Sequence, residues 1–409
     1  MSASDSLALP PAPLSKRAWR AIIGLGLTQI IGYGTTYYLL GLMGEVIRAD
    51  LGLSSTVLLS GVAITLFASA VFGPAAGRWQ DQLGSNVPMA LGSILMGIGL
   101  LNLSRAEDSA LYFVGWSFIA LGSPTSLYSA CFTALAHMAG RNARKAIIYL
   151  TLIGGLASSI VWPITAWLMT FMDWRAIVLL FGGLNILLCA PLHALLLDGK
   201  KAHNEVGSSP DKLPPGLPQQ AQMRAFIFLT TMLAVISLVG NAWSMLVFPV
   251  LAGLGFTFKD AVLIASLVGI FQVLGRIGEL VSSSKHSPLR TAEISNLLYL
   301  TGFVMLIVWK GAFFAGIIFA AAYGAANGLN TIVKGTLTLA IFGSHGYGER
   351  LGKVTLIPGI SAAIGPMLGG FIIEKGGAIA LVFGFSACSF IAFVLMVLLT
   401  RHCRTNGLN

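Results

Sequence analysis

Apolar residues in this chain run together in blocks instead of alternating with polar ones. Twelve blocks stand out, at about 20–44, 55–76, 86–103, 110–138, 146–171, 175–197, 224–252, 259–281, 291–310, 312–342, 351–373 and 378–400. Each approaches or exceeds the roughly 20 residues that a helix needs to cross about 30 Å of hydrocarbon. They are too long, and too uniform, for the alternating strands of a membrane barrel. The pattern predicts an all-α membrane protein of twelve transmembrane helices. Most joints are short. The exception, DGKKAHNEVGSSPDKLPPGLPQQAQM at 198–223, is polar and rich in Pro and Gly, and reads as a flexible linker. It divides the chain into a six-helix bundle at 18–197 and another at 224–400, with a disordered tail at 1–17 and a short one at 401–409.

Composition agrees. Of 409 residues, 56% are hydrophobic and 10% charged, where a soluble protein has about 25% charged. The net charge of +10 has a topological reading before a nucleic-acid one, because Lys and Arg collect on cytoplasmic loops. With the N-terminus placed inside, only Arg48, Arg105, Arg175, Lys259, Lys310 and Lys375 fall outside; the other bases fall inside, save Lys334 within block 10. Both termini are therefore expected in the cytoplasm, in an inner or plasma membrane, with no nucleic-acid partner. Cys131, Cys189, Cys388 and Cys403 form no Cys-x-x-Cys pair, so neither a disulfide framework nor a metal site is suggested.

Two short phrases recur at nearly one offset, 198 and 204 residues. GRWQD (77–81) follows block 2 and GRIGE (275–279) ends block 8; TLIGG (151–155) lies in block 5 and TLIPG (355–359) in block 11. Each match joins a block to the one six further on. Six is an even number of crossings, so the halves are parallel repeats, pseudo-symmetric about an axis normal to the membrane. Transporters are often built this way, with the site where the repeats meet.

Twelve spans, a central linker and Gly77-x-x-x-Asp81-x-x-Gly84 between blocks 2 and 3 together resemble the major facilitator superfamily (MFS) along the whole chain. In that family this loop latches the halves on the cytoplasmic side, which implies a gate at Gly77, Arg78, Asp81 and Gly84, repeated at Gly275 and Glu279. Gln82, Ser85 and Asn86 stand where the family has bases, leaving Asp81 to pair with Arg78 or with the start of a facing helix. The exporter-type Gly-Pro-x-x-Gly-Gly element is absent from block 5 and occurs at 365–370 in block 11. Arg276, with Gln272 one turn earlier, resembles the arginine of carboxylate-transporting branches, whose planar fork holds two oxygens; the bland alternative pairs Arg276 with Glu279.

Polar residues that an apolar span does not need fall at helical spacing in four blocks. They are Gln29, Tyr33, Thr36 and Tyr37; Thr125, Ser129 and Thr133; Ser237, Asn241 and Ser244; and Tyr323, Asn327, Asn330 and Lys334. Steps of three and four put each set on one face. These are blocks 1, 4, 7 and 10, which line the cavity in the resembled family. Each stripe can equally be helix-to-helix hydrogen bonding. Lys334 carries a charge that costs a few kcal/mol inside a membrane unless water or a partner meets it, and its own block holds no acid.

GYGERLGKV (346–354) imitates a phosphate loop, but Tyr347 and Val354 stand where glycine and Ser/Thr are required. Nothing organises a catalytic centre or a cofactor. The expectation is a monomeric secondary carrier, not an enzyme, working by alternating access on a small organic anion, with protons as the family's usual coupling ion. Lys334 and Arg276 are expected to hold the anion and Tyr33, Asn241, Asn327 and Asn330 to orient it. An amphipathic cargo such as a drug or siderophore, met by Tyr37, Tyr38, Trp162 and Trp243, and a transporter-like ligand sensor remain alternatives.

Overall fold

A backbone in hydrocarbon has no water to bond, so each crossing satisfies its amides within itself, as a helix. The computed structural model describes residues 14–197, 216–283 and 286–408. Most of the expected tail and linker therefore lie outside the described residues, as does the side chain of Trp162.

Span 1 consists of Lys16–Thr35 and Leu39–Asp50, span 2 of Ser55–Leu83, span 3 of Asn86–Leu103, and span 4 of Ser109–Ser126 and Tyr128–Ala139. Span 5 is Ala143–Gly154 and Ala157–Leu168; span 6 runs from Trp174–Leu184 through a π-helical Asn185–Cys189 to Ala190–Leu196. Spans 7 to 10 are unbroken: Gln219–Gly253, Phe258–Ser282, Pro288–Val308 and Phe313–Phe342. Spans 11 and 12 share the run Tyr347–Thr405, cornered at Gly377, whose φ of 74° is one that residues with a Cβ avoid. Residues 219–223, expected in the linker, and 401–405, expected in the tail, are helical.

Several starts carry side-chain caps. Ser54, Asp108, Asp173 and Thr257 each accept from an amide three residues on, at the entry to spans 2, 4, 6 and 8. The interruptions also have local causes. In span 1 the Thr36 hydroxyl takes the Gly32 carbonyl at 2.6 Å, and the Tyr38 amide reaches back to Tyr33. In span 4, Pro124 lacks the amide its helix needs and Leu127 turns extended. In span 5 the break follows Gly154-Gly155.

The second half has its own core, an aromatic stack of Trp243, Phe303, Phe319, Tyr323 and Phe385 with centroids 4.4–5.8 Å apart. The first half packs around Leu100, Tyr112, Trp116 and Ile177. A further cluster, with Ile22, Phe132, Leu135 and Leu150, takes in Tyr347 and Leu351 from span 11. The halves thus share a core at the face that carries the chain ends, called here the inner face.

Candidate functional site

At the inner face, hydrogen bonds join the halves at Arg78, Asp81 and Arg144. Gly73 and Gly77 of span 2 oppose Gly348 and Gly352 of span 11, and a Cβ on Gly77 would overlap the Gly348 carbonyl. Such small faces bring helix backbones into contact in lipid. One turn on, Asp81 accepts from the backbone amides of Gly348 (3.1 Å) and Glu349 (2.9 Å). These are free donors at the positive end of span 11. Of the two partners foreseen for Asp81, the facing helix is the one it meets; Arg78 instead reaches Glu349 at 3.4 Å. His137 Nε2 of span 4 lies 3.2 Å from Asp81. Gly84 ends span 2 with φ +83°.

The second cluster does the same work with another partner. Glu279, 4% exposed, accepts from Arg144 at 2.7 Å and from Thr291 at 2.8 Å. Arg144, near the start of span 5, also donates to the carbonyls of Ser283 and His286. Each repeat's acid therefore meets the beginning of the opposite half's span 11 or span 5. The resemblance ends there. Gly275, expected at the gate, packs on the Ala325 carbonyl of its own half.

Arg276 is 4% exposed, and its Nε and Nη1 have no hydrogen-bond partner among the described residues. The expected pairing with Glu279 is not made, because Arg144 and Thr291 take both oxygens of that carboxylate. The guanidinium reaches across the seam to Gly155 of span 5, within electrostatic range of the Tyr128 and Tyr38 phenols. Tyr33 stands 5.0 Å from Tyr128 and 6.3 Å from Tyr37, ring to ring. Gln272, half-buried, lies one turn earlier with its backbone against Gly328. Lys334 is half-buried, without an ion pair among the described residues, where the next residue, Gly335, meets Phe132 across the seam.

The other expected site residues are placed less uniformly. Gln29, fully buried, donates to the Ser126 carbonyl at 2.9 Å, tying span 1 to span 4. Thr125 bonds Gly122 in its own helix and crowds Gly92 of span 3. Both turn into the first bundle, not the seam. Asn241 and Ser244 bond carbonyls one turn back; Ser129 and Asn330 are half-buried. Asn327 accepts from Tyr299 at 3.2 Å, and Tyr323 is 2% exposed in the aromatic core with Trp243. Sequence reasoning missed Arg144, read only as a loop charge, and Tyr128, which lies between Thr125 and Ser129 but off the three- and four-residue steps of their stripe.

The chain belongs to the major facilitator superfamily, whose model matches residues 25–286. It is 24% identical over 365 residues to monocarboxylate transporter 12-B of Danio rerio, covering 80% of this chain and 76% of that protein. An MFS-type transporter of Gibberella moniliformis is 24% identical over 405 residues, covering 96% and 92%. Among solved structures, the human organic anion transporter MFSD10 superposes with a TM-score of 0.67 at 15% identity, over 93% of this chain and 99% of that one. The proton:xylose symporter XylE gives 0.68 at 14%, over 96% of each. The fold is that of these proteins, and the chain is a multi-pass membrane transporter for small molecules.

Proposed function

We propose that this transporter carries a small carboxylate-type anion by alternating access, with Arg276 as its anchor. The supporting observation is the buried guanidinium itself: it lies at the seam, without a carboxylate partner among the described residues, near tyrosine phenols suited to orient an anion. Glu279, the nearest acid in sequence, is committed to Arg144. An uncompensated buried charge is costly, and a bound carboxylate supplies the missing partner through two parallel hydrogen bonds. Occupancy thus lowers the cost of closing the halves over the site, and this differential stability couples binding to the conformational change. Lys334 holds the anion's path at the inner closure. The relatives named as monocarboxylate transporters agree with this reading. Placement in an inner membrane with cytoplasmic termini, function as a monomer and symport with protons complete the proposal.

Uptake of radiolabelled benzoate and pyruvate into proteoliposomes tests it. An inward proton gradient accelerates uptake, Arg276→Gln abolishes it, and Lys334→Ala slows it. Uptake by Arg276→Gln at the native rate would refute the anchor.

A further inference from the structure

The Gly154-Gly155 pair interrupts span 5, yet neither glycine uses its conformational freedom. Gly154 closes a regular helix and Gly155 has φ −66° and ψ −13°, values open to any residue. Space explains them instead. A Cβ on Gly155 would overlap Arg276 Nη1 and stand 2.8 Å from its Cζ; one on Gly154 would stand 2.7 Å from the Tyr128 hydroxyl and 3.0 Å from Gln29 Cβ. The two bare positions face different elements, Gly155 span 8 and Gly154 spans 4 and 1. They sit where the first segment of span 5 ends, so the negative end of that segment's dipole faces the cation.

We infer that Gly154 and Gly155 form a seat that positions Arg276 and the Tyr128 hydroxyl for the anion, with Gly155 as the positioning residue for the guanidinium. The inference rests on the proposed role of Arg276 and adds a determinant on the opposite half. The seat is assembled only when the halves are together at this level, so span 5 sets the anchor's geometry without touching the cargo. It also gives the TLIGG phrase a purpose that its repeat, TLIPG, does not share: Gly359 meets Ala70 of span 2, and Pro358 occupies the place of Gly154.

The test compares Gly155→Ala, Arg276→Lys and the double variant with the native protein, purified in detergent. Two readouts are used: phenylglyoxal modification of Arg276, mapped by mass spectrometry, and stabilisation by benzoate. In Gly155→Ala the displaced guanidinium is modified several-fold faster, and the concentration of benzoate needed for stabilisation rises about tenfold, the scale of one misplaced charged hydrogen bond. A Cβ at 155 comes 2.7 Å from the Thr151 carbonyl but overlaps the guanidinium far more severely, so any misfolding of the single variant is expected to come from the guanidinium. In that event the slimmer lysine of the double variant restores folding, because the clash with the guanidinium is gone while the one with Thr151 remains. Unchanged modification of Arg276 in a folded Gly155→Ala protein, or a double variant no better folded than a misfolded single, overturns the seat. Faster modification without benzoate stabilisation of the native protein keeps the seat and sinks the carboxylate reading.

Discussion

Removing Arg144 tests whether the seam is held shut from the inner face. Arg144 is the first half's contribution to a pocket made wholly by the second: Glu279 at 2.7 Å, Thr291 at 3.1 Å and the carbonyls of Ser283 and His286. The Glu279 side chain is 3% exposed. Breaking a buried pair by deleting one member costs about 3–5 kcal/mol, since the remaining charge stays out of water. Thr291 still donates to Glu279 in Arg144→Ala, which argues for the lower end, about 3 kcal/mol. When the inner face opens, water reaches Glu279 with or without Arg144, so the loss falls on the closed state. About 3 kcal/mol moves the equilibrium roughly 150-fold toward inner opening. Spin labels at Gln82→Cys, near the end of span 2, and Arg290→Cys, near the start of span 9, report it in a background without the four native cysteines. Both sites are exposed at the inner face. Double electron–electron resonance is expected to show a short distance in the parent and mainly a long one in Arg144→Ala. Glu279→Gln shifts it the same way by less, and the two changes are not additive. A folded Arg144→Ala protein with the parent's distance distribution would refute the reasoning.

Asp81→Asn keeps one acceptor for span 11 but loses the charge facing its positive end, about 1 kcal/mol; the same labels read a smaller opening. His193, 1% exposed, joins Ser93 at 3.0 Å and Thr28 at 2.9 Å. His193→Leu removes one partner from each hydroxyl, Thr28 keeping the Leu25 carbonyl and Ser93 the Ser126 hydroxyl, and lowers thermal stability by about 1 kcal/mol, with the uptake KM unchanged. Gly377→Ala costs about 1–3 kcal/mol, because φ 74° with ψ 178° is a conformation essentially confined to glycine, whereas Gly370→Ala, which meets open space, is neutral; melting curves of the two compare them directly.

The spans were legible because the bilayer dictates them: a helix must be long, apolar and internally bonded, and each requirement leaves a mark in the sequence. The acids were legible for a related reason. Asp81 and Glu279 occupy matching places in a repeat, and only a few partners suit a carboxylate at a seam. What escaped was set by side-chain direction and by distant contacts. Arg276 and Glu279, three residues apart, have the spacing of a pair, but the arginine lies against Gly155 of the other half while Arg144, remote in sequence, claims the acid. Gln29 and Thr125 fit a polar stripe, yet their partners lie inside the first bundle; periodicity gives a face without saying what covers it. The breaks in spans 1, 4 and 5 follow from local competition for carbonyls and from packing against other spans, and only Pro124 and the paired glycines hinted at them.

Those breaks make the two repeats mechanically unequal. A helix in two pieces can pivot at the joint, so spans 1, 4 and 5 accommodate a cargo piecemeal, while the rods of spans 7 to 10 travel as a block. A blocker need not imitate the cargo at all: a wedge at any of the three joints, clear of the arginine, would stall the cycle by stiffening the pliable repeat.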